Sequence, residues 1–131
     1  MFLYYYEFDN NSLIIVNEVF NALILLRILK LIKMAISKQY LKTKPVVKVT
    51  FTVPAEDAKK VAVVGDFNNW NPKGSTLKKL KNGNFKGTFD LPKENSYEFR
   101  YLVDGSYVNE SEADRYQWND FAGAENAVLE L

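Results

Sequence analysis

Residues 84–108 read NFKGTFDLPKENSYEFRYLVDGSYV, and this stretch decides the fold. Phe85, Gly87, Phe89 and Leu91 alternate with Lys86, Thr88 and Asp90, and Tyr97, Phe99, Tyr101 and Val103 alternate with Glu98, Arg100 and Leu102. A period of two sends successive side chains to opposite faces, so each run is a half-buried β-strand. Asp104-Gly105 is a hairpin signal, because the favoured two-residue turn needs positive φ at both central positions. Residues 106–108 return from that turn.

The same pattern extends in both directions. Upstream, Val47, Val49, Phe51 and Val53 share one face, Lys48, Thr50 and Thr52 the other, and Pro54 ends the run. Residues 60–65 (KVAVVG) are nearly continuously apolar, which suits a central strand. Residues 77–80 form a brief strand candidate, and Asn82-Gly83 is the strongest hairpin signal in the chain. Downstream, Ala127, Leu129 and Leu131 mark a last strand. Beyond Val46 no helical period is sustained, and residues 110–116 are expected to form a short helical turn. About seven short strands with frequent turn signals predict an all-β fold, an immunoglobulin-like antiparallel β-sandwich.

The chain has 131 residues, enough for one ordinary domain and a tail. That is well short of the roughly 250 residues a TIM barrel needs. It has no His and no Cys, which removes the commonest general base, the commonest metal ligand, thiol nucleophiles and disulfides. No cofactor and no metal site is expected. A net charge of +1 leaves no basic groove for a nucleic acid. Aromatic residues make up 15% of the chain, which favours a β-rich core, a stacking surface or both.

Composition changes near residue 34, since every Gly and every Pro lies beyond it. The sequence divides into an N-terminal extension (1–33), a polar lead-in (34–45) and the sandwich (46–131). Residues 13–32 are apolar but interrupted by Asn17, Glu18, Asn21, Arg27 and Lys30. Two cations within a span would each cost roughly 2.5–3.5 kcal/mol, so no transmembrane segment is expected. No basic region precedes the run and no small-residue cleavage site follows it, so it is a poor signal peptide, and a cytoplasmic location is the expectation. Leu23, Leu26, Lys30 and Lys33 fall at helical spacing, as in an amphipathic helix that could bind an interface or a partner. The other reading is a mis-assigned start, with Met34 as the natural first residue.

Three segments taken together resemble carbohydrate-binding module family 48: GDFNNW at 65–70 followed by Asn71-Pro72, YEFRYLVDGSY at 97–107, and GAENAVLEL at 123–131. That family includes the glycogen-binding domain of the AMP-activated protein kinase beta subunit and the N-terminal early set domains of isoamylases and branching enzymes. The resemblance covers about residues 44–131. It implies an immunoglobulin-like sandwich that binds α-1,4-glucans such as glycogen or starch. It also implies carbohydrate-binding roles for Trp70, Arg100, Tyr107 and Asn126, with Asn69 and Trp118 as further candidates. Arg100 stands where the kinase-subunit domains carry Lys, and Tyr107 where they usually carry Trp. Ala122 and Ala124 replace a bulky aliphatic residue and a Thr, so this loop looks more like the isoamylase and branching-enzyme branch.

These residue types suit a sugar. A pyranose has C–H patches on its faces and hydroxyls around its rim. An aromatic face covers the first, while Asn and Arg supply planar donors and acceptors for the second. An exposed Trp70 in the polar NNWNP loop has little structural reason to be there. Arg100, opposite the core-facing Tyr97, Phe99 and Tyr101, is expected to face solvent or to pair with Glu98 or Glu110. Tyr107 could instead cover the core at a strand edge, Asn126 could cap its loop, and Trp118 is expected to pack the long loop down. Phe67 is expected to anchor the GDFNNW loop, with Asp66 and Asn68 shaping it.

Three functions are open on the sequence. The first is a non-catalytic glucan-binding module. The second is a regulatory or scaffolding module docked on a glucan-metabolising enzyme, with sugar binding weak or lost. The third is an accessory part of a family 13-type glycoside hydrolase system. Catalysis by this chain itself would need two carboxyls about 5–9.5 Å apart across the scissile bond. Asp104, Glu110, Glu112, Asp114 and Asp120 read instead as ordinary solvated charge.

Overall fold

The computed structural model describes residues 21–25 and 34–131. The chain divides into two compact units, Met1–Lys33 and Met34–Leu131. In the first, residues 21–25 are helical and exposed, while Leu26, Lys30 and Lys33 of the expected amphipathic helix lie outside the described residues. Among the described residues no helix is long and apolar enough to cross a membrane.

The second unit is an antiparallel sandwich of two sheets, ordered β1-β2-β5-β4 and β3-β6-β9-β8, with β7 paired to β6. The strands are β1 (Ala35–Tyr40), β2 (Val46–Pro54), β3 (Val61–Gly65), β4 (Lys78–Lys79), β5 (Asn84–Pro92), β6 (Ser96–Val103), β7 (Ser106–Val108), β8 (Arg115–Asn119) and β9 (Ala124–Glu130). The all-β, immunoglobulin-like architecture read from the sequence is the one observed.

Alternation places the core as expected. Val47, Val49, Phe51 and Val53 of β2 are all buried, and they pack with Val61, Val63, Phe85, Leu91, Phe99, Tyr101, Ala127 and Leu129. Phe51 is the centre, with ring centroids of Phe99, Phe89, Tyr101 and Phe67 at 5.3, 6.0, 6.2 and 6.3 Å. Such pairs each add about 0.5–1.5 kcal/mol beyond the area they bury. Both hairpins form where the turn residues stand: Gly83 has φ 88°, and Asp104 and Gly105 have φ 47° and 87°.

Three expectations about the strands are corrected. The polar lead-in contains a strand, β1, paired along β2. Its inward period is hidden by Lys38, whose Nζ reaches Asp114 at 2.5 Å and the Glu130 carbonyl at 2.9 Å on the other sheet. An inward charge on an edge strand also discourages pairing with another chain. Residues 110–116 are not a helical turn; the chain turns at 111–112 and enters β8, a short edge strand whose mostly exposed residues gave no burial period. The KVAVVG strand, β3, stands at the end of its sheet rather than in the middle. Its outer edge is covered by chain, with Val63 N–H to Ser75 O at 3.1 Å and Leu77 N–H to Val61 O at 2.8 Å.

Of the acidic residues read as solvated charge, Asp104, Glu112, Asp114 and Asp120 are exposed as expected, and Glu110 is the exception. Glu110 is 1% exposed, and its carboxylate accepts the Tyr101 hydroxyl at 2.5 Å and the Glu112 N–H at 3.0 Å. Burial pushes its carboxyl above the ordinary range, against the opposing bonds from Tyr101 and Glu112, with the Glu112 charge adding to the rise. Asp104 accepts the Lys59 and Lys60 N–H groups at 2.8–3.1 Å, and these hold its carboxyl low. Burial of Asp114 is outweighed by its bonds to Lys38 and the Glu130 N–H and by the Lys38 charge, so its carboxyl is also low.

Candidate functional site

The apolar run of β3 has two destinations. Val61 and Val63 join the core, whereas Ala62 and Val64 are equally buried yet belong to the outer face. Cross-strand partners project to the same side, so Ala62 and Val64 stand beside Leu102 and Arg100 of β6. Val128 of β9 lies on that face too, opposite Glu98. These small apolar residues floor the outer face, where the sequence-derived candidates assemble.

A cleft of about 420 Å³ on this face is lined by Trp70, Arg100, Tyr107, Asn119, Phe121, Ala122 and Asn126. All four principal candidates are therefore together, although they come from a loop, β6, β7 and β9. Asn69 and Trp118 do not line it. Trp118 of β8 is opposite Glu125, one residue out of phase with Asn126, so it points to the other side of the sheet. There it is 57% exposed, with Nε1 donating to Asp120 at 2.8 Å, and it does not pack the loop down.

Trp70 is held from several directions. Gly65 pairs with Phe99, and a Cβ there would lie 2.4 Å from the Glu98 carbonyl oxygen, so only glycine lets the loop leave the sheet this close to β6. The chain then makes one 3₁₀ turn, Asp66–Asn68. Asn68 accepts the Gly65 N–H at 3.0 Å and donates to Val63 O at 2.9 Å. Phe67 drops inward to stack on Phe51 and to meet Tyr97 edge-on, as expected. Asp66 divides its carboxylate, one oxygen accepting the Trp70 indole N–H at 3.1 Å and the other the Glu98 N–H at 2.8 Å. Asn69 and Trp70 are both left-handed, with φ 55° and 58°. For a residue as bulky as Trp this is an outlier that the surroundings must impose. The indole is half-buried rather than bare.

Arg100 pairs with neither Glu98 nor Glu110. Its guanidinium lies 5.6 Å from the centroid of the Tyr107 ring, a cation–π distance. Tyr107 does not cover the core; it is 55% exposed opposite Leu102. Asn126 is buried, and its Nδ2 donates to Glu98 at 3.3 Å. The Arg100 Nε and the Asn126 Oδ1 are buried without a hydrogen-bond partner, one donor and one acceptor left over in the cleft walls. A group in that condition costs about 1–3 kcal/mol and calls for an explanation.

The β8–β9 loop supplies what residue-type reasoning missed. Asn119 accepts the N–H groups of Phe121 and Ala122 at 3.0 and 3.2 Å, and Gly123 turns the chain back with φ 62°. This braces a loop on which Phe121 is fully exposed at the cleft. The signal was present in the sequence: an aromatic residue directly beside Ala122, where the resembled family has a bulky aliphatic side chain. Among the described residues no Asp or Glu lines the cleft. Glu110, the carboxyl with a raised pKa, faces inward with Tyr101 and cannot meet a ligand there. Among the described residues no group of His, Cys, Asp or Glu is placed to hold a metal ion.

A family model described as the glycogen recognition site of AMP-activated protein kinase matches residues 47–131. The chain belongs to this family. Residues 47–131 are thus a carbohydrate-binding module, and the match covers every strand from β2 to β9 except the first residue of β2. No curated protein matches the chain.

Proposed function

We propose that residues 46–131 form a non-catalytic module that binds α-1,4-linked glucans in the cleft on the outer face of the β3–β6–β9–β8 sheet. The observation that carries this reading is Trp70: an indole forced into a left-handed backbone, fixed through Asp66, with its ring on a cleft shared with Tyr107 and Phe121. Three aromatic rings offer apolar faces to sugar C–H patches, and Arg100, Asn119 and Asn126 supply groups for the hydroxyls. The lack of a carboxylate on the cleft among the described residues favours binding over hydrolysis.

Native electrophoresis with glycogen in the gel tests it. Retardation is expected for the parent chain and its loss for Trp70→Ala. Phe121→Ala should reduce retardation with no change in melting temperature, since a fully exposed ring carries no packing. Equal mobility of the parent chain with and without glycogen would overturn the proposal. The second reading, a docking module for a glucan-metabolising enzyme with vestigial sugar binding, draws on Ala122 and Ala124. Copurification with such an enzyme and no glucan retardation would favour it.

A further inference from the structure

A second hollow, of about 250 Å³, is lined by Lys60, Ala62, Pro72, Leu102, Asp104 and Gly105. It is on the same outer face as the cleft, and three neighbour relations join the two. Leu102 follows Arg100 by two residues on β6, so the two side chains share a face about 6.6 Å apart along the strand. Leu102 is directly opposite Tyr107 across the β6–β7 pair and opposite Ala62 across the β3–β6 pair. Pro72 follows Trp70 by two residues in the same loop. Leu102 and Pro72 therefore prolong the two walls that Tyr107 and Trp70 begin.

The chemistry of the hollow is also continuous with the cleft. Leu102, Ala62 and Pro72 give an apolar surface, and Lys60 brings an ammonium to the rim. Asp104 adds little for a ligand, because its carboxylate is occupied by the Lys59 and Lys60 N–H groups. What is left is a shallow apolar trough with donors at one edge. That suits the face of a neutral sugar and suits an anion or a metal ion poorly.

We infer that this hollow is an added subsite, which receives further glucose units of the same glucan chain held in the first cleft. The inference rests on the glucan reading above. It assigns Leu102, Pro72 and Lys60 to chain-length discrimination: short oligosaccharides fill the Trp70 cleft alone, and longer ones reach the trough as well.

Calorimetric titration of the full chain with maltotriose and with maltoheptaose tests it. Maltoheptaose is expected to bind about tenfold more tightly than maltotriose. Leu102→Thr keeps a strand-forming residue but removes the apolar wall, and Lys60→Ala removes the rim donor on an exposed side chain. Each should weaken maltoheptaose about threefold or more and leave maltotriose unchanged. Equal affinity of the parent chain for the two sugars, or an affinity ratio that neither variant alters, overturns the subsite. If neither sugar binds the parent chain, the glucan reading itself falls and takes the subsite with it.

Discussion

At Trp70, backbone and side chain make opposite demands. The left-handed backbone costs an L-residue about 1–2 kcal/mol, which glycine would not incur. The proposed binding role gives the ring a reason to be held there against such a cost, because Phe67 already anchors the loop. Trp70→Gly is accordingly expected to be more stable to urea than Trp70→Ala, by about 1 kcal/mol, although both lose the ring. Equal stabilities would mean that the conformation belongs to the side chain rather than to the loop. The sequence announced this residue through its polar neighbours, since a Trp flanked by Asn on both sides has no core to enter. It did not announce the partial burial, the Asp66 bond or the bracing by Asn119, because these depend on which residues the fold brings near.

Strands were legible where one face is buried and one is wet, as in β2, β5 and β6, where alternation is a direct record of two environments. They were illegible at the edges. β1 breaks its inward pattern with Lys38, and β8 is exposed along nearly its whole length. β3 misled for the opposite reason: its second apolar face floors the outer surface and is not a second core. The corner between β7 and β8 was also missed, because a Glu reads as surface until its partners are known. Glu110 joins Tyr101 of β6 to that corner, and its carbonyl accepts the Tyr116 hydroxyl at 2.8 Å. Since burial raises its pKa, the folded chain holds this proton at pH values where the unfolded chain, titrating near about 4.3, has released it. The associated stability is full below that value and lost as pH rises through the folded pKa. Glu110→Gln should remove this dependence. The stability difference between variant and parent is therefore expected to be most favourable to the variant at pH 7 and to move toward the parent at pH 4.5. Urea unfolding at the two pH values checks this, and a difference independent of pH contradicts it.

At the scale of the whole molecule, the described strands all lie in the second compact unit, Met34–Leu131. The second unit has a hydrophobic core of its own, and its first strand begins at Ala35. Residues 34–131 expressed alone are expected to unfold in one cooperative transition and to show the same retardation by glycogen as the full chain. Cutting at residue 46 instead removes β1 and the Lys38 bridge between the sheets, and should lower the melting temperature. A 34–131 fragment that fails to fold, or a 46–131 fragment as stable as the longer one, would contradict this account. Family and architecture could be read from sequence because motif order and strand period are properties of the chain. The trough beside the cleft could not, since its walls meet only through cross-strand pairing.

The chain's two indoles stand on opposite faces of one sheet, and each gives its single N–H to a carboxylate, at 3.1 and 2.8 Å. The molecule thus carries one indole on the cleft and one away from it. A change in indole emission on adding a sugar would come from Trp70 over a background from Trp118, and Trp118→Phe would remove that background and leave the change.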